Sequence, residues 1–328
     1  MNQLKGKKSV VVGIVIFAAL VCNAPPIQAD ESGINIVCTN SMLADFTEYL
    51  LENTTNITVE YIMPAGVCPA HFDTSPSDVA LITSADIIIS LGWEPWLDDL
   101  LESSGNTDYK EIRCSHLGEW NIPSGAKEYV EKLTTGLSII IPELNDTLQA
   151  NSQEYVSLIN ETAEQLKNMI TNEGYQGRKV ICMQWQSEFA TWLGLNVVCS
   201  YAPPERLSTL DMLNVSNAAQ SEGVCAIIDN LQSGTDFGAR IASESGATHV
   251  IFTNFPGAIS GTDSYIDMIT YNTEQIVNGI STFDYKQGEI VHLERDISSL
   301  ELQRNISLSG AFTLGAIAVI LFILYRKK

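Results

Sequence analysis

Residues 147–172 read TLQANSQEYVSLINETAEQLKNMITN, with no Pro or Gly and with Leu148, Tyr155, Leu158, Ile159, Leu166, Met169 and Ile170 at helical spacing. Asp146 or Thr147 supplies a cap at its start and Gly174 a stop at its end. At 1.5 Å per residue such a helix runs about 39 Å, the width of two small domains. What flanks it decides the fold. Before it, strand patterns at 33–38, 57–63, 86–90 and 109–114 alternate with helical patterns at 42–51, from Ser77, and at 96–101. After it, strands at 179–183, 196–200, 224–229 and 249–253 alternate with helices at 187–193, 210–220 and 236–245, and a last helix covers 264–280. Strands that alternate with helices imply parallel sheets covered on both faces. The expected class is therefore α/β: two lobes, 30–146 and 174–281, each with a parallel sheet, joined by a rigid helical spine over 147–173.

The ends place this body outside the cell. Lys5, Lys7 and Lys8 precede an apolar run over 9–21, and Ile27-Gln28-Ala29 offers a cleavage point, so 1–29 reads as a secretory signal. Cys22 raises a lipoprotein signal, but Val21 stands before it where such signals want a very small side chain. Residues 306–325 are uncharged and mostly apolar, long enough to cross about 30 Å of hydrocarbon as a helix. Arg326, Lys327 and Lys328 then fix a cytoplasmic tail, so 306–325 is expected to be a single-pass transmembrane anchor. Residues 282–305 form a juxtamembrane stalk in this scheme, with one strand at 290–293. Between Asp30 and Arg304 stand all 39 acidic residues and only 12 of the 18 basic ones, a formal charge of −27. That excludes nucleic acid as a partner, because phosphate binding needs clustered cations. Acidity of this kind also serves solubility or salt adaptation. Six sequons, at Asn53, Asn56, Asn145, Asn160, Asn214 and Asn305, are compatible with an external, glycosylated surface.

The loops carry the informative residues. Pro64-Ala65-Gly66, followed by His71-Phe72-Asp73-Thr74-Ser75-Pro76, resembles the loop of zinc/manganese ABC-transporter substrate-binding proteins, where a Pro-x-Gly turn precedes a His-aromatic-acid motif. Ala85-Asp86-Ile87-Ile88, Gly92, Trp96-Leu97-Asp98, the Trp120 to Lys127 segment and Glu188 to Leu195 continue the likeness, as do Ala226 to Asp229 and the Tyr265 to Gly279 helix. The resemblance implies two lobes closing on one metal ion, zinc or manganese, held by three His and a carboxylate at carboxyl ends of strands. Its partners would be an ABC permease and its ATPase, with the membrane reached through the C-terminal helix.

Carried over one at a time, the four ligand positions fall at His71, Gly118, Met183 and Asn254, so three of the four are changed. Four-coordinate zinc wants His, Cys or carboxylate donors, which Gly118 and Asn254 do not supply. Two readings follow. In one the site is re-tuned: His116, two residues from the vacant position, joins His71, Met183 and Asn254, and soft donors suit an ion such as Cu(I). In the other the scaffold is kept and the solute is no longer a bare metal. Cys68, Cys114, Cys182, Gln184 and Trp185 are candidate additional cleft contacts. Extracellular cysteines usually pair, and Cys38–Cys68 and Cys182–Cys199 are the candidate disulfides, leaving Cys114 and Cys225 over. The alternative for these thiols is metal ligation.

His249 opens a buried strand and His292 lies in the stalk, so both read as structural. Trp93, Trp96, Trp185 and Trp192 suggest either core or an aromatic cation site. No phosphate loop, nucleophile elbow or His-Glu-x-x-His helix is present, and four His leave little room for acid–base chemistry, so the chain is not expected to be an enzyme. Capture of a solute and its delivery to a permease is the expected activity. A surface adhesion or interaction protein, or a binder of a non-metal solute, on the same scaffold is the competing class.

Overall fold

The computed structural model describes residues 33–220 and 223–327. The expected leader with Cys22 and the last residue of the tail lie outside them. The first lobe contains β1 (Ile34–Asn40), α1 (Ser41–Leu50), β2 (Ile57–Met63), α2 (Pro76–Thr83), β3 (Ile87–Ser90), α3 (Leu97–Ser104) and β4 (Lys110–Arg113). Then come α4 (Pro123–Ile140) and the spine α5 (Asn145–Asn172). The second lobe contains β5 (Lys179–Met183), α6 (Ser187–Trp192), β6 (Asn196–Tyr201), α7 (Thr209–Ala219), β7 (Val224–Asn230), α8 (Asp236–Ser245) and β8 (Thr248–Phe252), and α9 (Tyr265–Arg326) closes the chain.

The two sheets have the same path. Their orders are β2-β1-β3-β4 and β6-β5-β7-β8, and the strands within each pair in parallel. Central strands are apolar because helices cover both faces: β3 and β7 are buried along their whole length. In each sheet the chain path reverses beside the first strand, and open α/β sheets bind ligands at the carboxyl ends beside such a reversal. One apolar cluster runs from β1 and α1 through Leu148, Tyr155 and Ile159 of the spine to Val180, Cys182 and Phe252 of the second lobe. A smaller cluster fills the space between the second sheet and α7 and α8.

Helix α4 was not anticipated, although Pro123 at its first turn and Ala126, Tyr129, Val130, Leu133 and Leu137 mark it. Its two glycines lower helix propensity but are demanded by packing. A Cβ on Gly125 would lie 2.1 Å from the Glu119 carbonyl oxygen, and one on Gly136 would lie 2.8 Å from Ile112. The expected strand at 290–293 is instead helical, part of the 62 residues of α9. No Pro interrupts 265–326, and the pairs Tyr285–Glu289 (2.9 Å) and His292–Asp296 (3.4 Å) suit helical i,i+4 spacing. The residues of α9 from 306 onward are exposed, and α9 is the one helix among the described residues long and apolar enough to cross a membrane.

The terminal helix, the spine and the first lobe meet at one carboxylate. Asp45 of α1 accepts a hydrogen bond from the Tyr155 hydroxyl (2.9 Å) and another from the backbone N–H of Tyr265 (3.0 Å). Burial pushes its carboxyl up to about 6 against the pull of these two donors.

Candidate functional site

A cavity of about 470 Å³ lies where the carboxyl ends of the two sheets face each other. Every strand except β1 contributes from its carboxyl end or the loop after it: Cys68, Trp93 and the 114–120 loop from the first lobe, then Trp185, Arg206, Asn230 to Ser233, and Asn254 to Phe255. Five aromatic rings line it, from Trp93, Trp120, Tyr129, Trp185 and Phe255. Trp120 packs at 5.7 Å from Phe255 and at 6.1 Å from Tyr129, so these three form a fixed inner wall. Trp93 and Trp185 are 53% and 41% exposed, at the open side.

The loops are held by hydrogen bonds that leave their side chains free to face the cavity. Buried Glu94 accepts from the Thr39 hydroxyl (2.5 Å) and from the N–H groups of Leu91 (2.8 Å) and Trp93 (3.0 Å). Gly92 has φ +80, and a Cβ there would lie 2.2 Å from the Ser115 hydroxyl. His116 adopts φ +63, a left-handed backbone uncommon for a residue with a side chain. Strain of that kind gathers at binding loops. Trp96 donates to the Pro69 carbonyl (3.2 Å) and meets Phe72 edge to face at 5.0 Å, which fixes the loop carrying Cys68 and His71.

The lobes are joined across the cavity floor. Trp120 Nε1 donates to the Asn254 carbonyl (2.8 Å), Gln232 Nε2 to the Ala65 carbonyl (2.8 Å), and the Ser41 hydroxyl to the Pro256 carbonyl (2.7 Å). Asn254 Oδ1 accepts from Asn121 Nδ2 (3.0 Å) and from Gln186 Nε2 (2.6 Å). The amide oxygens of Asn121 and Gln186 are buried with no protein partner among the described residues.

Of the residues singled out from sequence, Cys68, Cys114, His116, Trp185 and Asn254 line the cavity. His71 does not. It stands at the rim with Nε2 3.9 Å from Glu205 of the other lobe, both side chains largely exposed. Met183 is fully enclosed with Ile181, Tyr201, Ile227 and Phe237, because strand alternation turns it into the second lobe's own core. Cys182, one position earlier, faces the opposite side of the sheet and is equally buried. Gln184 is half-buried and outside the lining, and Gln186, at the end of the same turn, is the residue that reaches Asn254. At the vacant position, the N–H of Gly118 donates to Glu128 Oε2 (2.9 Å), and a Cβ would approach that oxygen to 3.3 Å. Among the described residues, no three His, Cys, Asp or Glu side chains cluster closely enough to hold a metal ion.

The candidate disulfides are not formed; all six described cysteines are free. Cys38 is buried beneath α1 with Sγ 3.9 Å from the Thr47 hydroxyl, whereas Cys68 sits on the cavity loop. Cys182 and Cys199 lie on opposite faces of the second sheet, since Ile181 and not Cys182 is the partner of Cys199. Burial pushes the Cys114 thiol up to about 12, so it is protonated at neutral pH. Burial, then the nearby Glu188, also raises the carboxyl of Glu119 in the cavity. His249 is structural as expected: its Nε2 lies 2.7 Å from one oxygen of buried Asp229, and the Tyr201 hydroxyl donates to the other. Sequence reasoning missed Arg206 and the wall formed by Trp120, Tyr129 and Phe255. Arg206 follows a Pro-Pro-Glu turn after a strand, and that position at a carboxyl end was the available signal.

Several known proteins share this architecture. The manganese-binding lipoprotein MntA of Halalkalibacterium halodurans is 23% identical over 295 residues, 83% of this chain and 98% of its own length. The metal ABC transporter substrate-binding lipoprotein ScbA of Streptococcus cristatus is 21% identical, covering 85% of this chain and all of its own length. In fold, the crystal structure of ZnuA superposes with a TM-score of 0.63 at 17% identity, over 76% of this chain and 99% of that one. The Mn-bound periplasmic metal binding protein from Candidatus Liberibacter asiaticus gives 0.62 at 17% identity, over 75% and 99%. These relatives are binding proteins, and the chain is not an enzyme. With residues 36–279 matching its family model, the chain belongs to the family of the zinc-uptake complex component A, periplasmic.

Proposed function

We propose that this protein captures a transition-metal cargo in the cavity between its two lobes and delivers it to an ABC permease and its ATPase, from the extracytoplasmic face of the membrane. The observation that supports the reading is the cavity itself: loops from the carboxyl ends of both sheets converge on one space in a chain of this family. Relatives named for manganese and for metal transport set the class of cargo. His116, Cys68 and Cys114 are the N and S donors that line the space, with His71 at the rim. Zinc and manganese are the first ions to test, and copper follows from the thiols. We assign the lobes to 30–146 and 174–281, the spine to 147–173 and the stalk to 282–305, with 306–325 as a transmembrane helix.

Elemental analysis of the full chain, purified in detergent without chelator, tests the reading. One zinc, manganese or copper per chain, lost in His116→Ala, is the expected result. A folded protein that retains none of them under reducing or oxidising conditions removes metal capture. The anchor is tested apart from the cargo. Because the relatives are lipoproteins, the chain truncated before Ile306 is compared with Cys22→Ala. Release from membranes by the truncation, and not by Cys22→Ala, is expected for a helical anchor.

A further inference from the structure

The cavity is built for something larger than an ion. A metal held by protein alone needs about four donors converging at roughly 2.0–2.3 Å. Here no three such side chains cluster among the described residues, the oxygen of Asn254 is taken by two amide donors, and Gly118 brings no donor at all. What replaces them is space and aromatic surface. About 470 Å³, walled by five rings and a few polar groups, is the size and lining typical of a site for a small organic molecule. A bare or hydrated cation would leave most of that apolar wall against water.

The charges in the wall sharpen this. Between Asp30 and Arg304 only 12 basic residues stand against 39 acidic ones, yet one of the 12, Arg206, lines the cavity. A guanidinium is a donor for carboxylates and gives a cation nothing to bind. Exposed Trp93 and Trp185 at the open side offer faces on which a flat group can stack. The lining donors are His116 on its left-handed loop, Cys68, Cys114 and the Glu119 carboxylate, and no three of them cluster closely enough to hold an ion by themselves.

We infer that the metal enters this cleft as a small organic chelate: the chelator's carboxylate faces Arg206, its flat body lies against the tryptophans, and its own donors fill most of the coordination sphere. This rests on the metal-capture reading above and names the form of the cargo.

The test is calorimetric titration of the full chain in detergent with zinc and manganese as free ions, as their 1:1 complexes with dipicolinate and with citrate, and with each chelator alone. A complex is expected to bind at least about 100-fold more tightly than either component. Arg206→Ala is expected to weaken it about 10- to 100-fold, the worth of a charge-assisted pair. Quenching of tryptophan fluorescence by the complex, reduced in Trp185→Phe, reports the stacking. Stoichiometric, tight binding of a free ion, unchanged in Arg206→Ala, overturns the chelate and leaves metal capture intact. Equal binding of the metal-free chelators overturns both, since the solute is then organic alone. Absence of binding by every complex overturns the chelate, and elemental analysis then judges metal capture separately.

Discussion

At the scale of single residues, direction matters as much as position. Carrying ligand positions along the sequence brought attention to Met183 and Gln184, but a strand alternates its faces and a tight turn rotates them again. Met183 therefore points into the lobe, and Gln186, buried behind the cavity lining, is the glutamine of that turn that reaches Asn254. The same alternation separates Cys182 from Cys199, which sequence spacing alone could not reveal. His116, Cys68, Cys114 and Asn254 were legible because each follows a strand, where the fold class puts its sites. The aromatic wall was less legible, since a tryptophan in a loop and one in a core look alike until the lobes are packed. Asp45 supplies a prediction at this scale. Its carboxyl is raised to about 6 when folded, from an ordinary value of 3.8, so its proton is held more tightly in the folded state. The stability this gives is fully present below about pH 4 and is lost as pH rises through 6, on the order of 3 kcal/mol in all. Asp45→Asn is expected to flatten that part of the pH profile, read by urea unfolding at about pH 4.5 and pH 7. An unchanged difference between the two pH values would refute it.

At the scale of elements, alternation of strand and helix read correctly through both lobes because central strands and covering helices differ so sharply in period. Helix α4 escaped because its glycines and polar residues dilute a short apolar stripe, and packing against Glu119 and Ile112 selected those glycines. The strand expected at 290–293 failed for the opposite reason. Ile290, Val291 and Leu293 favour a strand locally, but the helix entering from the second lobe meets no stop signal and propagates through them. Ile290→Pro is expected to break the terminal helix there, at about 3 kcal/mol to the local helix, without touching the lobes. Faster tryptic cleavage at Lys286 and Arg295 with an unchanged unfolding midpoint of the lobes checks this; unaltered cleavage would mean the stalk is not a continuous helix.

At the scale of the whole molecule, one apolar cluster crosses both lobes, and cross-lobe hydrogen bonds donated by Ser41, Trp120, Asn121, Gln232 and the Tyr265 N–H tie them together. Against this cohesion stands a formal charge of −27 between Asp30 and Arg304, whose self-repulsion is screened by salt. Raising ionic strength from about 0.01 M to 1 M shortens the screening length from roughly 30 to 3 Å. A single unfolding transition whose midpoint climbs with salt is therefore expected by scanning calorimetry. A midpoint that falls, or a split into two transitions, would mean that local pairs or lobe autonomy dominate instead.

The carboxylate of Asp45 also makes the molecule a lever. It grips Tyr265, the first residue of α9, and Tyr155 of the spine, so the root of the terminal helix is clamped where the lobes meet. From Ile280, the last buried residue of α9, to Ile306 the helix runs about 39 Å. With 306–325 in a membrane as proposed, the cavity rides on a stiff post and not a slack tether. Tilt of that post in the bilayer is then transmitted as torque to the lobe seam, and a permease that grasps the lobes must either project to meet them or bend the post to bring them down.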